Sequence, residues 1–325
     1  MQRVNRFSVP LTLLLLALAS SASAGDTITE SFQGVKQLKI DLVSSDVIIE
    51  VVRGSTVTVE VTHTYDNDCY RTRMDTWGDR LNLEEDFGGY GCYGRASWHI
   101  KIPKKMDIVY SSASGDVEAS GIEGELDFDT ASGDITLRKI NGRITIDNAS
   151  GRIEIRDAVG DLDIDNASGR IRLENVRGYI EVDNASGRVV IKNATGQFDI
   201  SNASGDVDAS GIAINAESSF TSASGDVEVQ LAKKLAHDLS LTSASGDAVL
   251  DYNGNPVAGE FIFRARQGRG RIVSPYPFDS EEEFDRGRGG WRRDSRLYVE
   301  KRFKRGKNGP RIMLSTATGT AKLKK

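Results

Sequence analysis

The middle of the chain alternates apolar and polar positions in units that are nine residues long. Segments 142–150 (GRITIDNAS), 151–159 (GRIEIRDAV) and 160–168 (GDLDIDNAS) each begin with Gly and then alternate. This alternation is typical of a β-strand with one buried face. Gly and Asn at the ends of the units favour turns with left-handed backbone angles. The pattern excludes helices, because β-branched residues alternate and Gly returns with every unit.

The nine-residue units pair into a longer repeat. Ala-Ser-Gly returns every 18 residues from Ala113 to Ala203, and again at Ala223 and Ala244. Two strands per 18-residue coil predict an all-β fold, a single-stranded β-solenoid like a parallel β-helix, with an irregular β cap at its N-terminal end. An antiparallel sandwich of hairpins is the alternative, but strict in-register repetition argues against it.

The two corners of each coil are predicted to differ. We expect one corner to place Ala inward and the other to place Ile or Val inward, as at Ile122, Ile140 and Val176. Asn is expected to stack in a ladder that satisfies backbone groups at the first corner. The Asn residues of this ladder are Asn148, Asn166, Asn184 and Asn202.

Periodicity and composition divide the chain into five regions. Residues 1–24 combine a basic start, an apolar run and Ala22-Ser23-Ala24, which is typical of a secretory signal peptide. We expect an N-terminal β region over 25–110 that contains the Cys69–Cys92 loop. The solenoid repeats follow over 111–275, a charged loop excursion over 276–310 and C-terminal closing strands over 311–325.

Cys69 and Cys92 are the two cysteines of the chain. In an exported protein a single pair predicts a disulfide. It would close a loop of about 24 residues and contribute about 3 kcal/mol to stability. The spacing is not the C-x-x-C of a redox site, so a structural role is favoured.

The net charge of the chain limits the classes of binding partner. Net charge is −5, and it becomes −7 when Arg3 and Arg6 are removed with the leader. This disfavours nucleic-acid binding. No segment after the leader is apolar enough to predict a membrane span. Residues 286–325 carry 14 basic residues against Asp294 and Glu300, which suggests contact with anionic lipid.

The solvent-facing positions predict two unlike faces. The outward positions of one sheet carry ten acidic residues and one basic residue, Arg143. Those of the other sheet carry six basic residues and two acidic ones, Glu154 and Glu174. We hypothesise that an acidic ladder gathers divalent cations or a basic surface, or that it packs on the basic sheet of a second copy. A solvated face without a ligand is the alternative. The ladder residues are Asp147, Asp163, Asp165, Glu181 and Asp183, and the six bases are Arg152, Arg156, Arg170, Arg172, Arg188 and Lys192.

Catalytic patterns are missing from the sequence. His63, His99 and His237 lie far apart, and the Gly-Gly-x-Gly-x-Asp turns of calcium-binding nonapeptide repeats are absent. Nine-residue units are expected to leave no space for a groove within 115–211. We therefore predict no catalytic residues and no cofactor.

The corner motif resembles a known family. Ala-Ser-Gly-Asp occurs at Ala113–Asp116, Ala131–Asp134, Ala223–Asp226 and Ala244–Asp247, after a leader and an Ile102-Pro103 step. This is similar to the bacterial putative-adhesin family, a domain of unknown function built of β-strand repeats. The likeness covers about residues 30–325. It brings no catalytic residues with it.

The resemblance implies a role at the envelope or surface. We expect a non-enzymatic exported protein, periplasmic or at the cell surface, that acts as an adhesin or scaffold through its extended β faces. Its partner would be an envelope or surface component that the sequence does not identify. The alternatives are a cation- or polysaccharide-binding module and, less favoured, a carbohydrate-active envelope enzyme.

Overall fold

The solenoid is the dominant feature of the structure. A computed structural model describes residues 25–66, 68–89, 91–285 and 297–325, so the leader prediction for 1–24 lies outside the described residues. The described part forms 29 strands and no helix. The strands belong to two sheets, A and B, whose inner faces share one apolar core. The all-β solenoid prediction is confirmed.

The strands begin close to the start of the described chain. The first nine are β1 (Asp26–Gln33), β2 (Gln37–Leu42), β3 (Asp46–Val51), β4 (Thr56–His63), β5 (Tyr70–Trp77), β6 (Arg80–Phe87), β7 (Ala96–Ile102), β8 (Asp107–Ser112) and β9 (Val117–Ser120).

The repeat region continues with fourteen strands. They are β10 (Leu126–Thr130), β11 (Ile135–Arg138), β12 (Ile144–Ser150), β13 (Ile153–Arg156), β14 (Leu162–Ser168), β15 (Ile171–Glu174), β16 (Arg177–Ser186), β17 (Val189–Lys192), β18 (Thr195–Ser204), β19 (Val207–Ile214), β20 (Ser218–Ser224), β21 (Val227–Leu231), β22 (Leu239–Ser245) and β23 (Ala248–Asp251). The last six are β24 (Gly259–Arg266), β25 (Arg271–Val273), β26 (Ser280–Asp285), β27 (Leu297–Arg305), β28 (Arg311–Thr318) and β29 (Thr320–Lys324).

Each coil contributes one strand to sheet B and the next to sheet A. In sheet B, Ile144 pairs in parallel with Leu162, and Leu162 with Ile180. In sheet A, β13, β15 and β17 pair in the same 18-residue register. Successive coils lie about 4.8 Å apart, the spacing of paired strands. Parallel pairing throughout the repeats excludes the sandwich of hairpins.

The core is a column of aliphatic side chains. The predicted inward positions Ile144, Ile146, Ile153 and Ile155 are all fully buried. Full burial of one such side chain stabilises the fold by about 1.5–3 kcal/mol relative to exposure. The column is thin because each strand adds only two or three inward residues, which accounts for the low apolar content of the chain.

One corner prediction is wrong in part. The Ala residues of the Ala-Ser-Gly corner, such as Ala149 and Ala167, are exposed, and the Asn residues before them are buried. The reason is that strand alternation continues for one more step, so Ile144, Ile146 and Asn148 all point inward. At the opposite corner Ile140 is buried, as expected.

A ladder of buried polar side chains lines the Asn corner, as predicted. Asn166 Nδ2 donates to Asn184 Oδ1 at 2.9 Å, and Asn184 Nδ2 donates to Asn202 Oδ1 at 3.2 Å. Ser222 and Ser243 occupy the same position in later coils and donate to glycine carbonyls of the preceding coil. The ladder therefore gives most of its buried side chains hydrogen-bond partners, whereas Asn148 Nδ2 and Asn166 Oδ1 have none among the described residues.

The N-terminal end of the stack does not follow chain order. β2 lies between β6 and β8 in sheet B, parallel to both. β3 lies between β7 and β9 in sheet A, also parallel to both. Antiparallel pairs complete this end: β5 adds to β6, and β4 joins β7 to β1. These outer strands make the irregular cap that the sequence predicted.

The C-terminal end uses the same arrangement. β28 lies between β22 and β24, and β29 lies between β23 and β25. The coil that comes last in the chain is therefore not the last in space, contrary to the expectation that it closes the stack. Thr316 and Gly319 do occupy the positions of a degenerate Asn-Ala-Ser-Gly corner, stacked on Ser243 and Gly246.

The region predicted as a charged loop excursion contains ordered strands. β26 and β27 pair antiparallel, and β27 continues sheet B beyond β24. The basic residues Arg286, Arg288, Arg292 and Arg293 of this region lie outside the described residues. The division of the chain into five regions stays a prediction.

Candidate binding faces

Two rows of carboxylates follow the outer surface of sheet B. In-register pairing aligns Asp129, Asp147, Asp165 and Asp183 on four adjacent strands. The second row lies two residues earlier on the same sheet and contains Asp127, Asp163, Glu181 and Asp199, with Thr145 between the first two. These eight residues are called the acidic face below. It includes all five acids of the predicted ladder.

The carboxylates of the acidic face repel one another. Partial burial, followed by the charges of Asp147, Asp183 and other neighbours, raises the pKa of Asp165. Burial and the charge of Glu181 likewise raise the pKa of Asp199. None of the eight acids has an ion-pair partner within the described ranges, whereas nearby Asp161 lies 3.7 Å from Arg143. The face therefore concentrates uncompensated negative charge.

This repulsion should be measurable as a loss of stability. We expect Asp165→Asn to raise the free energy of unfolding at neutral pH by about 0.5 kcal/mol, because like charges opposite each other in a sheet are destabilising. A carboxyl whose pKa is raised in the folded state costs stability when it is ionised and not when it is protonated. The gain should shrink as pH falls through the raised pKa of Asp165 and disappear below the pKa of the unfolded chain.

Urea unfolding at neutral pH and at about pH 3 would measure the effect. Asp161→Asn is the matched control, since it removes a carboxylate beside Arg143 and should bring no gain. Equal stabilisation by both variants would contradict local repulsion and point to net charge alone.

A shallow groove runs along the Asn corner beside the acidic face. Its volume is about 790 Å³, and it extends over the coils from Asp129 to Ala223. The Asp129–Asp183 row forms one wall, and the exposed Ala residues form the apolar surface next to it. The prediction that the repeats leave no space for a groove within 115–211 is wrong. The reason is that the Ala methyl groups point outward and leave a step between the two surfaces.

The outer surface of sheet A is charged but largely neutralised. Arg172 lies 3.1 Å from Glu174 and 3.9 Å from Glu154, and Arg156 pairs with the same two acids. Arg188 lies 2.7 Å from Asp206. Many of the predicted basic residues are thus already paired within the sheet, which leaves less positive charge for an acidic face of a second copy. Self-association stays a prediction.

A single carboxylate organises the N-terminal end. Glu85 on β6 accepts hydrogen bonds from Tyr70 Oη at 2.9 Å, from Trp98 Nε1 at 3.0 Å and from Ser45 Oγ. It also accepts from the backbone nitrogen of Val43 at 3.0 Å. Burial, followed by the charge of Glu85, raises the pKa of Tyr70. The carboxylate thereby joins β5, β6 and β7 to the turn between β2 and β3.

The two cysteines lie next to this cluster. Cys69 and Cys92 are at disulfide distance, with Cα atoms 5.6 Å apart. Tyr65 stacks on Tyr70 with ring centroids 4.9 Å apart, and Phe87 meets both rings edge-on at 5.4 Å. The Cys69–Cys92 loop is therefore held by both the cysteine pair and an aromatic cluster.

A buried ion pair organises the C-terminal end. Glu300 on β27 is 5% exposed and accepts from Arg264 Nε at 2.6 Å and from Arg302. Burial alone would raise the pKa of Glu300, but the hydrogen bonds from Arg264 and Arg302 outweigh it and lower this pKa. In the sequence Glu300 is only one acid in a basic stretch, and its role was not predicted because its partner Arg264 lies on β24, far from it in the chain.

The described residues contain neither a clustered metal site nor a helix able to span a membrane. No group of three or more His, Cys, Asp or Glu side chains in the described ranges is placed to hold a metal ion. His63 and His99 lie on neighbouring strands, and His99 Nε2 pairs with Glu50 at 3.0 Å. The described part of the chain also has no helix long and apolar enough to cross a bilayer.

The chain is similar to one family model and to several solved structures. A family model described as Toastrack DUF4097 matches residues 35–260. A putative adhesin from Bacteroides fragilis is 14% identical over 92% of this chain and 96% of that chain, with a TM-score of 0.33. A putative adhesin from Parabacteroides distasonis is 17% identical over 72% and 92%, with a TM-score of 0.37. A putative lipid binding protein from the same organism is 14% identical over 71% and 91%, with a TM-score of 0.34. No curated protein matches the chain.

Proposed function

Since the family match spans residues 35–260, the chain belongs to the Toastrack DUF4097 family, and from this premise we propose that it is a non-enzymatic adhesive protein of the cell envelope or surface. The proposed binding surface is the acidic face together with the groove beside it. The proposed partner is a basic surface, such as a polypeptide segment rich in lysine. The leader-like pattern of residues 1–24 supports export to the periplasm or the cell surface.

The observation that carries this proposal is the pair of in-register carboxylate rows, which have no ion-pair partner in the part of the chain that the structure describes. Asp147, Asp165 and Asp183 follow one another on adjacent strands and repel, at some cost in stability. Sheet A shows that the same repeat can place arginines opposite acids on adjacent strands, as with Arg172 and Glu154. The carboxylates of sheet B are left uncompensated on a scaffold that can place arginines beside acids. This favours a role for these carboxylates in attracting positive charge.

Binding of a model polycation tests the proposal. We expect the chain from residue 25 onward to bind immobilised poly-L-lysine, and not poly-L-glutamate, at about 0.15 M salt. A variant that neutralises five acids of the face should bind about tenfold more weakly, because these charges act together along one surface. The five changes are Asp147→Asn, Asp163→Asn, Asp165→Asn, Glu181→Gln and Asp183→Asn.

The control removes the same number of charges away from the face. Its five changes are at exposed positions outside the acidic face: Asp26→Asn, Glu30→Gln, Asp68→Asn, Asp75→Asn and Glu217→Gln. This control should bind like the unchanged chain, within about twofold. Equal weakening in the two variants would mean that net charge, rather than the arrangement of the face, causes binding, and the proposal would be overturned.

A further inference from the structure

A second concave site lies at the C-terminal end of the solenoid. It is a cavity of about 400 Å³ whose lining comes from the chain after β23, the segment before β26 and the end of β27. These three segments contribute Val257, Tyr276 with Pro277 and Asp279, and Phe303–Gly306. The volume is within the range of small-molecule sites. The cavity shares no lining residue with the groove beside the acidic face.

The apolar side of the cavity is preformed. Phe303 is buried, and its ring stacks on Phe261 with centroids 4.5 Å apart. Backbone pairing holds the two residues opposite each other on β27 and β24. Tyr276 lies 5.6 Å from Phe303, and Val257 packs against the same core. An apolar group entering the cavity would meet these side chains without a rearrangement of the strands.

The mouth of the cavity carries an oriented cation. The guanidinium carbon of Arg305 lies 3.5 Å from the centroid of the Tyr276 ring, a stacked position that fixes the plane of the guanidinium. Arg305 is exposed, and no carboxylate in the described ranges pairs with it. The earlier cations of β27 are compensated: Lys301 lies 3.0 Å from Glu281, and Arg302 pairs with Glu300.

The other charged residues of the lining are Lys304 and Asp279. Asp279 Oδ2 accepts a hydrogen bond from the backbone nitrogen of Lys304 at 2.8 Å, so one carboxylate oxygen is already engaged. The side chain of Lys304 is exposed and has no ion-pair partner among the described residues. Two cations against one acid leave the cavity with a positive balance.

We propose that this cavity binds a phosphate monoester that carries an apolar group. The phosphate oxygens would accept two hydrogen bonds from the guanidinium of Arg305, the geometry in which arginine recognises phosphate. The apolar group would pack on Phe303, Tyr276 and Val257. This inference does not depend on the proposed adhesive function, since it uses other residues and the opposite ligand charge.

Calorimetry with the chain from residue 25 onward tests the site. Phenyl phosphate is expected to bind about tenfold more tightly than inorganic phosphate, because only the ester has a ring to bury. Arg305→Gln should weaken phenyl phosphate binding by about tenfold or more. Arg305→Lys should retain only part of the affinity, since lysine keeps the positive charge but lacks the paired N–H donors of a guanidinium. Both variants change an exposed side chain, and a thermal melt would verify their fold.

Arg311→Gln is the control, because Arg311 is an exposed cation of β28 outside the cavity lining. Vesicles that contain phosphatidic acid distinguish a lipid headgroup from a free ester: Arg305-dependent binding of the vesicles assigns the site to a lipid, and binding of phenyl phosphate alone assigns it to a soluble ester. No heat with phenyl phosphate, equal affinity for inorganic phosphate, or the same loss in Arg311→Gln would each overturn the proposal.

Discussion

Replacing Gly169 with alanine is expected to unfold the repeat region. Gly169 has φ of +146°, and a Cβ added there would overlap the carbonyl oxygen of Gly151 in the preceding coil. A backbone atom cannot move aside as a flexible side chain can, and Gly187 stacks on Gly169 in the same way. We expect a loss of more than about 4 kcal/mol in the free energy of unfolding, an amount reserved for severe steric conflict.

Gly54→Ala is the matched control for this substitution. Gly54 also has a positive φ, +127°, but no atom lies within 4 Å of the added Cβ. It should cost only about 1–3 kcal/mol, the strain of an alanine in a sparsely populated backbone region. Urea unfolding followed by circular dichroism would compare the two variants. Similar losses of unfolding free energy in the two variants would show that the coils can move apart to accept a Cβ at Gly169, contrary to this prediction.

Glu85→Ala is expected to have the second largest effect, at the N-terminal end of the stack. The change leaves Tyr70, Trp98 and Ser45 without their hydrogen-bond acceptor. Tyr70 and Trp98 are buried, so water cannot replace the lost carboxylate without opening the end of the core. Each orphaned buried donor costs about 1–3 kcal/mol, and we expect a total loss of about 3 kcal/mol.

Glu84→Ala is the control that shows how much stability is lost when a carboxylate without buried hydrogen-bond partners is removed from the same strand. Glu84 is the adjacent residue, and its contact is an exposed ion pair with Arg73 at 3.4 Å. Removing it should cost less than about 1 kcal/mol. The same denaturant titration measures both variants, with Glu85→Gln as an intermediate that keeps an acceptor. A loss in Glu85→Ala no greater than in Glu84→Ala would exclude the organising role of Glu85.

Periodic residues made the repeat region predictable. The alternation of Ile144, Ile146 and their equivalents predicts both the strand and the face that is buried, because a period of two places all these apolar side chains on one face. The same alternation, continued to Asn148, places Asn inside, as the ladder prediction requires, and Ala149 outside, against the prediction that Ala points inward. The groove was missed for the same reason, since its apolar surface consists of those outward alanines.

The two ends were less predictable because their contacts are not periodic. Glu85 meets Ser45, Tyr70 and Trp98 from different strands, and no spacing in the sequence marks them as neighbours. Likewise, residues 286–325 read as a uniformly basic stretch. The structure pairs Arg302 with Glu300 and stacks Arg305 on Tyr276, with no carboxylate among the described residues paired to it. Which cation is available to a ligand depends on tertiary contacts that composition does not encode.

The placement of β2–β3 and β28–β29 between other coils has a consequence for the order of folding during synthesis. β2 and β3 emerge early, but their partners β8 and β9 are complete only at Ser120, so this coil must wait for about 70 further residues of chain. At the other end, no strand pairing among the described residues links β22–β23 directly to β24–β25, and the coil that begins at Arg311 lies between them in both sheets. A chain truncated before Arg311 would expose two unpaired strand edges, and such an incomplete molecule would be prone to aggregation or proteolysis.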